Sequence, residues 1–323
     1  MKKVYKIILI LFFVLTTSCT QQGTKDTYTF YAMDTVISLT FYNVKESKDI
    51  AKEIENIYLT YENVSDDFQE GKKETNVYDL NLKREADVTK ELKEMLEFSI
   101  DMFKDTKGYF NPFIGRLSHL WKDALEEGKL VEDRMIQDEL SIMNETRLEF
   151  EGLHAKLIGE GNLDLGGVAK GYATSKAKKY LDSIDCHSYL LNAGSSNIVL
   201  GNKNGKEFTV GLQKATATGY FETLTIQEKA ISTSSIKEQH VEIEGKLYSH
   251  LLNPMTGYPA MLYDTLSILG EDSKILDVYT TAGFAMKLEE LKAFLEEKNL
   301  DFIVSKDNKT MYKSIGMDAY EKN

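Results

Sequence analysis

Residues 163–173 read Leu163-Asp164-Leu165-Gly166-Gly167-Val168-Ala169-Lys170-Gly171-Tyr172-Ala173, a carboxylate and two glycines followed by a run with helical periodicity. Small or apolar residues recur every fourth position, at Ala169, Ala173, Ala177 and Leu181, which predicts a helix from 169 to about 181. Glycines before a helix let a ligand approach the backbone, and the N-terminal end of a helix carries partial positive charge. The stretch therefore predicts a turn and helix that bind an anionic ligand.

The order of these residues excludes two common nucleotide motifs. A P-loop needs Gly-Lys followed by Ser or Thr, whereas here Lys170 precedes Gly171 and Tyr172 follows. The dinucleotide fingerprint G-x-G-x-x-G is absent as well. A tight strand-to-helix turn whose glycines serve packing alone is the alternative interpretation.

Composition and charge limit the class of protein. With 323 residues, 42% hydrophobic and 28% charged, the chain is typical of a globular protein with a large core, as one big domain or two lobes. The net charge is −12, and three of the lysines lie in the first six residues, so the remaining body is more acidic still. Such a balance argues against nucleic acid as a partner, but not against a small phosphorylated ligand bridged by a metal.

The N-terminus has the pattern of an export signal. A basic start is followed by an apolar run from Val4 to Leu15, which is short for a membrane span. Cys19, four residues after the end of this run, predicts a lipoprotein signal over 1–18, cleavage before the cysteine, acyl chains on its thiol and a polar tether over 19–27. Thr16 stands where such signals usually carry an aliphatic residue, and a retained N-terminal anchor is the alternative. We expect the body, residues 28–323, to be exported and held at the outer face of a bacterial cell membrane.

Periodicity along the body predicts an α+β fold, with a mixed β-sheet core and surrounding helices in two closely joined lobes. Residues 28–42 are rich in β-branched and aromatic side chains and predict paired strands. Residues 64–81 predict a loop, and 122–150 a charged, helical segment. Trp121 is expected to anchor the core, and His119 to be structural rather than catalytic. Further helices are predicted at 47–61 and 89–106, and short strands from 148 onward, at 189–192, 197–200, 208–212, 224–226 and 230–232.

Two segments in the C-terminal half of the chain contain candidate catalytic and metal-binding residues. His250 is expected to end a strand before the Pro/Gly-rich turn of residues 253–259, where it could serve as a general base; a surface turn histidine is the alternative. Asp277 and Thr281 are four residues apart at the expected start of a helix and so share a face. A carboxylate and a hydroxyl are hard oxygen ligands suited to Mg²⁺ or Ca²⁺, whereas Asp277 as a simple helix N-cap is the alternative.

The order and spacing of three segments, Leu163–Ala173, Ser249–Pro259 and Asp277–Ala282, resemble the ApbE family of flavin transferases. The resemblance begins at Met33-Asp34-Thr35 and covers nearly the whole exported body. It implies a site for FAD between two lobes and a divalent metal, usually Mg²⁺, that touches the pyrophosphate.

Position by position, the resemblance implies roles for individual residues. His250 matches the catalytic histidine, Gly167 would give its backbone carbonyl to the metal, and Asp277 and Thr281 would give side-chain oxygens, with Thr280 beside them. The residues implied to contact FAD are Met33, Ser65, Asp66, Asp67, Tyr109, Asp164, Lys170 and Leu252.

The chain also departs from the family pattern at several positions. Serines replace common glycines at Ser195-Ser196 and at the end of Thr233-Ser234-Ser235, where each change could narrow the room for a ligand or alter a turn. The other departures are Met255 at a frequent arginine, and Asn111 and Asn253 at common aspartates.

The resemblance implies Mg-dependent transfer of FMN from FAD to a threonine or serine hydroxyl of an acceptor protein, such as a membrane redox subunit, with release of AMP. His250 would take the hydroxyl proton, and Lys170 with the helix N-terminus would stabilise phosphate charge. Two alternatives stay open. Water could replace the acceptor, which would make the protein an FAD pyrophosphatase, or the protein could be a non-catalytic FAD-binding lipoprotein.

Overall fold

The computed structural model describes residues 24–203, 205–237 and 240–321. The predicted signal over 1–18 and most of the predicted tether therefore lie outside the described residues. The first strand begins at Lys25, so residues 25–27, which the sequence assigned to the tether, are strand. Among the described residues, none of the helices has the length and apolar composition needed to cross a membrane.

Fifteen strands occur in the described residues. In chain order they are β1 (Lys25–Ala32), β2 (Thr35–Tyr42), β3 (Glu85–Asp87), β4 (Arg147–Glu151), β5 (His154–Ile158), β6 (Tyr189–Ala193), β7 (Asn197–Leu200), β8 (Phe208–Gln213), β9 (Tyr220–Ile226), β10 (Lys229–Ser235), β11 (His240–Ile243), β12 (Lys246–Ser249), β13 (Thr265–Gly270), β14 (Asp301–Lys306) and β15 (Lys309–Lys313). Eight of them form one large sheet in the order β1-β2-β6-β7-β10-β13-β14-β15. Every neighbouring pair in this sheet is antiparallel, so the sheet is antiparallel throughout rather than mixed.

Eight α-helices and one 3-10 helix complete the described chain. They are α1 (Ser47–Ser65), α2 (Val77–Lys83), α3 (Lys90–Asp105), α4 (Gly115–Glu126), α5 (Asp133–Glu145), α6 (Ala169–Ser183), α7 (Ser273–Phe284), α8 (Leu288–Glu297) and the 3-10 helix Ile315–Tyr320. The main hydrophobic core joins the large sheet to the helices. A second hydrophobic cluster lies under the β8–β9 hairpin, which pairs apart from the large sheet.

The α+β class and most predicted elements are confirmed, and three local predictions are wrong. The expected loop over 64–81 contains α2, which a capping box between Asn76 and Asp79 begins. The expected helical segment over 122–150 is divided, because α4 ends at Glu126, α5 begins at Asp133 and β4 follows. Helix α7 begins four residues before Asp277, and Asp272 caps it, so Asp277 is not an N-cap.

Helices α6 and α7 approach each other closely at one glycine. The Gly171 amide of α6 donates a hydrogen bond of 2.7 Å to the Asp277 carboxylate of α7. A β-carbon at position 171 would lie 2.4 Å from Cβ of Asp277 and 2.6 Å from the Ser273 carbonyl oxygen, so only glycine fits. The helix that follows the glycine turn is thereby joined directly to the helix that carries the predicted metal ligands.

Replacing Gly171 with alanine is therefore expected to push α6 and α7 apart and to lower the free energy of unfolding by at least about 1–3 kcal/mol, the usual cost of overpacking. Urea denaturation measures the change. Gly166→Ala is a matched control, because the added carbon there meets only the Asp164 carboxylate, at 3.1 Å. Equal stability of the two variants would show that the helices adjust to the extra atom.

The segment that carries His250 is supported from outside its own sheet. We call residues 250–260 the elbow. The Trp121 indole of α4 donates a hydrogen bond of 2.7 Å to the Gly257 carbonyl, and the Tyr258 hydroxyl donates one of 2.5 Å to Asp133 of α5. Trp121 is buried, as predicted for a core anchor. Helices α4 and α5 therefore fix the position of the elbow.

Candidate functional site

Two cavities meet beside the N-terminus of α6. The first, which we call the inner cavity, has a volume of about 240 Å³. The second, the groove, has a volume of about 1170 Å³. Gly166, Lys170 and His250 line both, so the two cavities adjoin at these residues, and we describe them together as one site. The glycine turn and the elbow, which are far apart in sequence, meet at this boundary.

The structure brings nearly all of the sequence-predicted site residues to this space. The inner cavity is lined by Tyr109, Asp164, Gly167, Lys170, His250, Leu252, Asp277 and Thr281. The groove is lined by Met33, Ser65, Asp66, Asp67, Lys170 and His250. Thr280 lines neither cavity; it is fully buried, and its hydroxyl donates to the backbone carbonyl of Asp277 at 3.0 Å. The structure therefore does not bring Thr280 to the site.

The Asp277 carboxylate is buried and held from two sides at the wall of the inner cavity. The residue is only 7% exposed. One oxygen accepts the Gly171 amide, and the other accepts the Asn197 side-chain amide at 2.9 Å. The Ser232 hydroxyl in turn donates to the Asn197 amide oxygen at 2.5 Å. These two bonds fix the orientation of the carboxylate at the cavity wall.

Oxygen donors suited to a divalent cation gather around this carboxylate. Gly167 and Thr281 are neighbours, since a β-carbon at position 167 would lie 3.3 Å from the Thr281 hydroxyl oxygen. No cluster of three His, Cys, Asp or Glu side chains able to hold a metal occurs in the part of the chain that the structure describes. One carboxylate, one hydroxyl and a backbone carbonyl fit Mg²⁺, which usually keeps waters and binds through one or two carboxylates plus substrate phosphates.

Asp164 shapes the glycine turn. One carboxylate oxygen accepts the Gly166 amide at 2.7 Å, and the other accepts the Ser118 hydroxyl of α4 at 2.6 Å. The turn is thereby fixed to α4 just before α6 begins. Both oxygens are engaged, so the main effect of Asp164 is to hold the turn in shape at the cavity wall.

The N-terminus of α6 presents positive charge to the boundary of the two cavities. The residue before its first turn, Val168, provides no side-chain cap, so the helix end is not neutralised by a side chain of its own. Lys170, in the first turn, lines both cavities. A helix N-terminus with a lysine beside it favours an anion such as a phosphate group.

Tyr109 and Leu252 form apolar parts of the inner cavity wall. Leu252 pairs with Pro259 across the elbow, which sets its position. The Tyr109 hydroxyl donates a hydrogen bond of 2.8 Å to Glu290 of α8. Burial and this carboxylate raise the pKa of Tyr109 to about 12, so the phenol stays neutral and its ring serves as a wall.

The loop after α1 is held by contacts within itself and with α4. The Asp66 carboxylate accepts the amides of Phe68 and Gln69, at 2.8 and 3.1 Å. Asp67 pairs with the His119 ring at 2.8 Å, and Phe68 stacks on that ring with centroids 4.6 Å apart. His119 lines neither cavity, so the structure agrees with a positioning role, in which it holds the groove wall.

The same contact makes this loop sensitive to pH. The hydrogen bond to the Asp67 carboxylate raises the pKa of His119, and burial raises the pKa of Asp67. The folded state therefore binds protons more tightly than the unfolded state at both groups. The stability from His119 is complete below the ordinary histidine pKa of about 6.5 and is lost as pH rises through its higher folded value. The contribution of Asp67 is complete only below the ordinary aspartate pKa of about 3.9, so it changes in the acid range.

We expect the free energy of unfolding to fall as pH rises above about 6.5, and we expect His119→Gln to remove part of that fall. Denaturant titrations of both proteins between pH 5.5 and 8.5 test the sign. His154→Gln is the control, because His154 meets Asp87 at an exposed surface contact. A pH profile of His119→Gln that coincides with that of the unchanged protein would contradict the assignment.

The serines at common glycine positions are accommodated without closing the cavities. Ser195 has a φ of 66°, the left-handed region that favours glycine, and its amide donates to Asn192. The hydroxyl of Ser196 donates to the Ala193 carbonyl at 3.3 Å. The Ser235 hydroxyl bonds the Asp264 carbonyl oxygen at 3.1 Å. These hydroxyls are turned toward the backbone, and the site remains open beside them.

Three residues at the site were not predicted from the sequence. Asn197 holds Asp277, and Ser118 holds Asp164. His119, which was predicted to be structural but without a partner being named, holds Asp67. Each partner is between 46 and 80 residues away in sequence. Local spacing carries no signal for such contacts.

Comparison with known proteins identifies the class. The sequence model of the ApbE family matches residues 33–304, and the chain therefore belongs to the ApbE family. An "FAD:protein FMN transferase" of Klebsiella pneumoniae (strain 342) is 30% identical over 212 residues, which are 61% of this chain and 66% of that protein. Another protein of that name, from Treponema pallidum (strain Nichols), is 27% identical over 65% of this chain and 64% of its own length. The matched region thus spans slightly less than two thirds of these relatives.

Solved structures agree on the fold. An ApbE protein from Thermotoga maritima superposes with a TM-score of 0.83 at 22% identity, over 93% of this chain and all of that chain. The flavin transferase ApbE from Vibrio cholerae superposes with a TM-score of 0.77 at 20% identity, over 92% of this chain and 99% of that chain. The predicted membership of the family and the α+β architecture are both confirmed.

Proposed function

We propose that this protein transfers FMN from FAD to the hydroxyl of a threonine or serine on an acceptor protein, and releases AMP, in a reaction that depends on Mg²⁺. The observation that carries the proposal is the convergence of the glycine turn, the α6 N-terminus and Asp277 on one space that His250 borders. The names of the matched relatives support the same reaction.

The size of the space fits a dinucleotide only if both cavities are used. The inner cavity of about 240 Å³ is below the range of about 300–1,000 Å³ typical of pockets for drug-sized ligands. Joined to the groove of about 1170 Å³, it is large enough. The boundary at Lys170 and the α6 N-terminus is the natural place for the pyrophosphate, with the two halves of FAD extending to either side.

The oxygen donors fit a magnesium ion at the same boundary. Asp277, Thr281 and the Gly167 carbonyl would hold it, and waters and pyrophosphate oxygens would complete its ligands. When bound, Mg²⁺ would supply charge neutralisation and polarisation of the phosphorus. Lys170 and the first amides of α6 add positive charge toward the phosphate oxygens.

The proposed step exchanges one bond to phosphorus for another. The acceptor hydroxyl oxygen forms a bond to the phosphorus of the FMN half, and the bond from that phosphorus to the bridging oxygen breaks. The bridging oxygen leaves with AMP. His250 takes the hydroxyl proton, which makes the oxygen a better nucleophile.

The N-terminal sequence supports the same partner. An exported body held by a lipid on Cys19 at the outer face of the membrane would be placed to meet an acceptor that is itself part of a membrane redox complex. The acidic charge of the chain is consistent with a protein acceptor and not with nucleic acid.

One incubation tests the reaction. The purified protein is mixed with FAD, Mg²⁺ and the recombinant extracytoplasmic domain of a membrane redox subunit, with a chelator-treated sample as control. A fluorescent band that survives denaturing electrophoresis, together with free AMP, is the expected result. AMP without the band would identify a pyrophosphatase, and neither product would identify a non-catalytic FAD-binding protein.

A further inference from the structure

A third cavity lies on the face of the large sheet opposite α6 and α7. We call it the rear cavity; its volume is about 420 Å³. Its floor is the large sheet, through residues of β6, β7 and β10, and its wall is the β8–β9 hairpin. None of the residues predicted from the sequence to bind FAD or metal lines it. The proposed reaction therefore leaves this cavity without an occupant.

The edge of strand β8 borders the rear cavity. Five consecutive residues, 209–213, line it. Because successive side chains of a strand point to opposite faces, an unbroken run of five lining residues fits a cavity that lies along the strand's edge. In the described ranges, β8 pairs with β9 alone, so its other edge presents backbone donors and acceptors to the cavity. Such an edge can accept an added strand.

The rear cavity adjoins the candidate active site across a shared wall. Thr233 and Ser235 line both the rear and the inner cavity. Gly194 lines both the rear cavity and the groove. A segment lying along β8 would therefore reach the space that contains Lys170 and His250. The turn at residues 194–196 separates the two compartments at this point.

The chemistry of the rear cavity fits an uncharged segment. Lys237 is the one charged residue among the described residues that line it, and it donates a hydrogen bond to the side chain of Gln213. Ile198 and Ile231 form the apolar floor of the cavity, and the hydroxyl residues Thr233 and Ser235 line its side toward the active site. A bound peptide would thus gain backbone hydrogen bonds along β8 and apolar contact below.

We propose that the rear cavity binds an extended, uncharged segment of the acceptor protein, which adds as a strand to β8 and presents its threonine or serine hydroxyl past Thr233 and Ser235. This inference rests on the proposed transfer reaction and names the surface that recognises its second substrate. Strands β1 and β15 are the edges of the large sheet, but none of the residues of either strand lines any of the three cavities.

A matched pair of variants tests the surface. Thr209 and Thr223 are both exposed threonines of the hairpin, but only Thr209 lines the rear cavity. Thr209→Trp is expected to raise the KM for the acceptor domain by about tenfold, the effect of losing one or two backbone hydrogen bonds. Its FAD affinity and its acceptor-independent AMP release should match those of the unchanged protein. Thr223→Trp should behave as the unchanged protein in all three measurements.

Hydrogen exchange supplies a readout that needs no variant. Addition of the acceptor domain is expected to slow exchange of the amides of residues 209–213 and to leave those of β1 unaffected. Protection of β1 in place of β8, or equal KM values for both tryptophan variants, would overturn the proposal while labelling still occurs. Failure of the unchanged protein to label any acceptor domain would instead count against the transfer reaction itself.

Discussion

Replacing Asp277 with asparagine is expected to lower the rate of AMP release by about 10²–10³-fold, the scale seen when one preorganised charge-stabilising group is removed. The reason is the loss of the only carboxylate among the three oxygen groups proposed to hold Mg²⁺. The concentration of Mg²⁺ needed for half-maximal activity should rise in parallel. Titration of activity against Mg²⁺ measures both effects.

The same substitution has a structural cost that must be separated from the loss of metal. The asparagine amide would face either the Gly171 amide or the Asn197 amide, so that one buried donor loses its acceptor, at about 1–3 kcal/mol. Asp272→Asn is the matched control, because Asp272 caps the same helix and asparagine caps as well as aspartate. An Asp277→Asn protein that folds and keeps its Mg²⁺ titration would remove this residue from the metal site.

Replacing His250 with alanine is expected to leave FAD binding intact and to slow labelling of the acceptor by about 10²–10⁴-fold, the usual contribution of a general base. His250 borders both the inner cavity and the groove, so its loss removes a proton acceptor without removing the charges that hold the pyrophosphate. Flavin fluorescence titration measures binding, and in-gel fluorescence measures labelling.

His187→Ala is the control for this variant, because His187 meets Asp185 at the surface, away from the cavities. A loss of FAD binding equal to the loss of labelling would show that His250 serves as a binding residue. Undiminished labelling by His250→Ala would exclude it as the base.

The elements that the sequence predicts well are those with strong local patterns. The fourth-residue repeat of small residues in α6 predicts a helix, and the β-branched and aromatic run of β1 and β2 predicts strands, without information from the rest of the chain. Helix α2 has only seven residues, too few for a periodic signal, and its capping box is the one local indication. The pairing of β6 and β7 with strands from distant parts of the chain depends on tertiary packing that no local pattern contains.

The residues of the candidate site also fall into those that the sequence predicts and those that it does not. The glycine turn, His250 and Asp277 stand out because their local patterns can be read from the sequence: two glycines before a helix, a histidine before a Pro/Gly-rich turn, and a carboxylate four residues from a threonine. Their supports do not, since Asn197 and Ser118 are common residue types that gain a role only when the chain folds. Thr280 shows that a match of sequence position alone does not place a residue at the site. Its neighbour Thr281 lines the inner cavity. Adjacent side chains of a helix differ in direction by about 100°, and Thr280 is buried in the core.

The support of the elbow by α4 has a practical result. The chain contains a single tryptophan, and its indole is bonded to the elbow that carries His250. Tryptophan emission therefore originates at one known point, at the elbow that borders the proposed FAD site. Quenching of that emission on addition of flavin would report occupancy, and a change in its wavelength would report displacement of the elbow, with no dye attached.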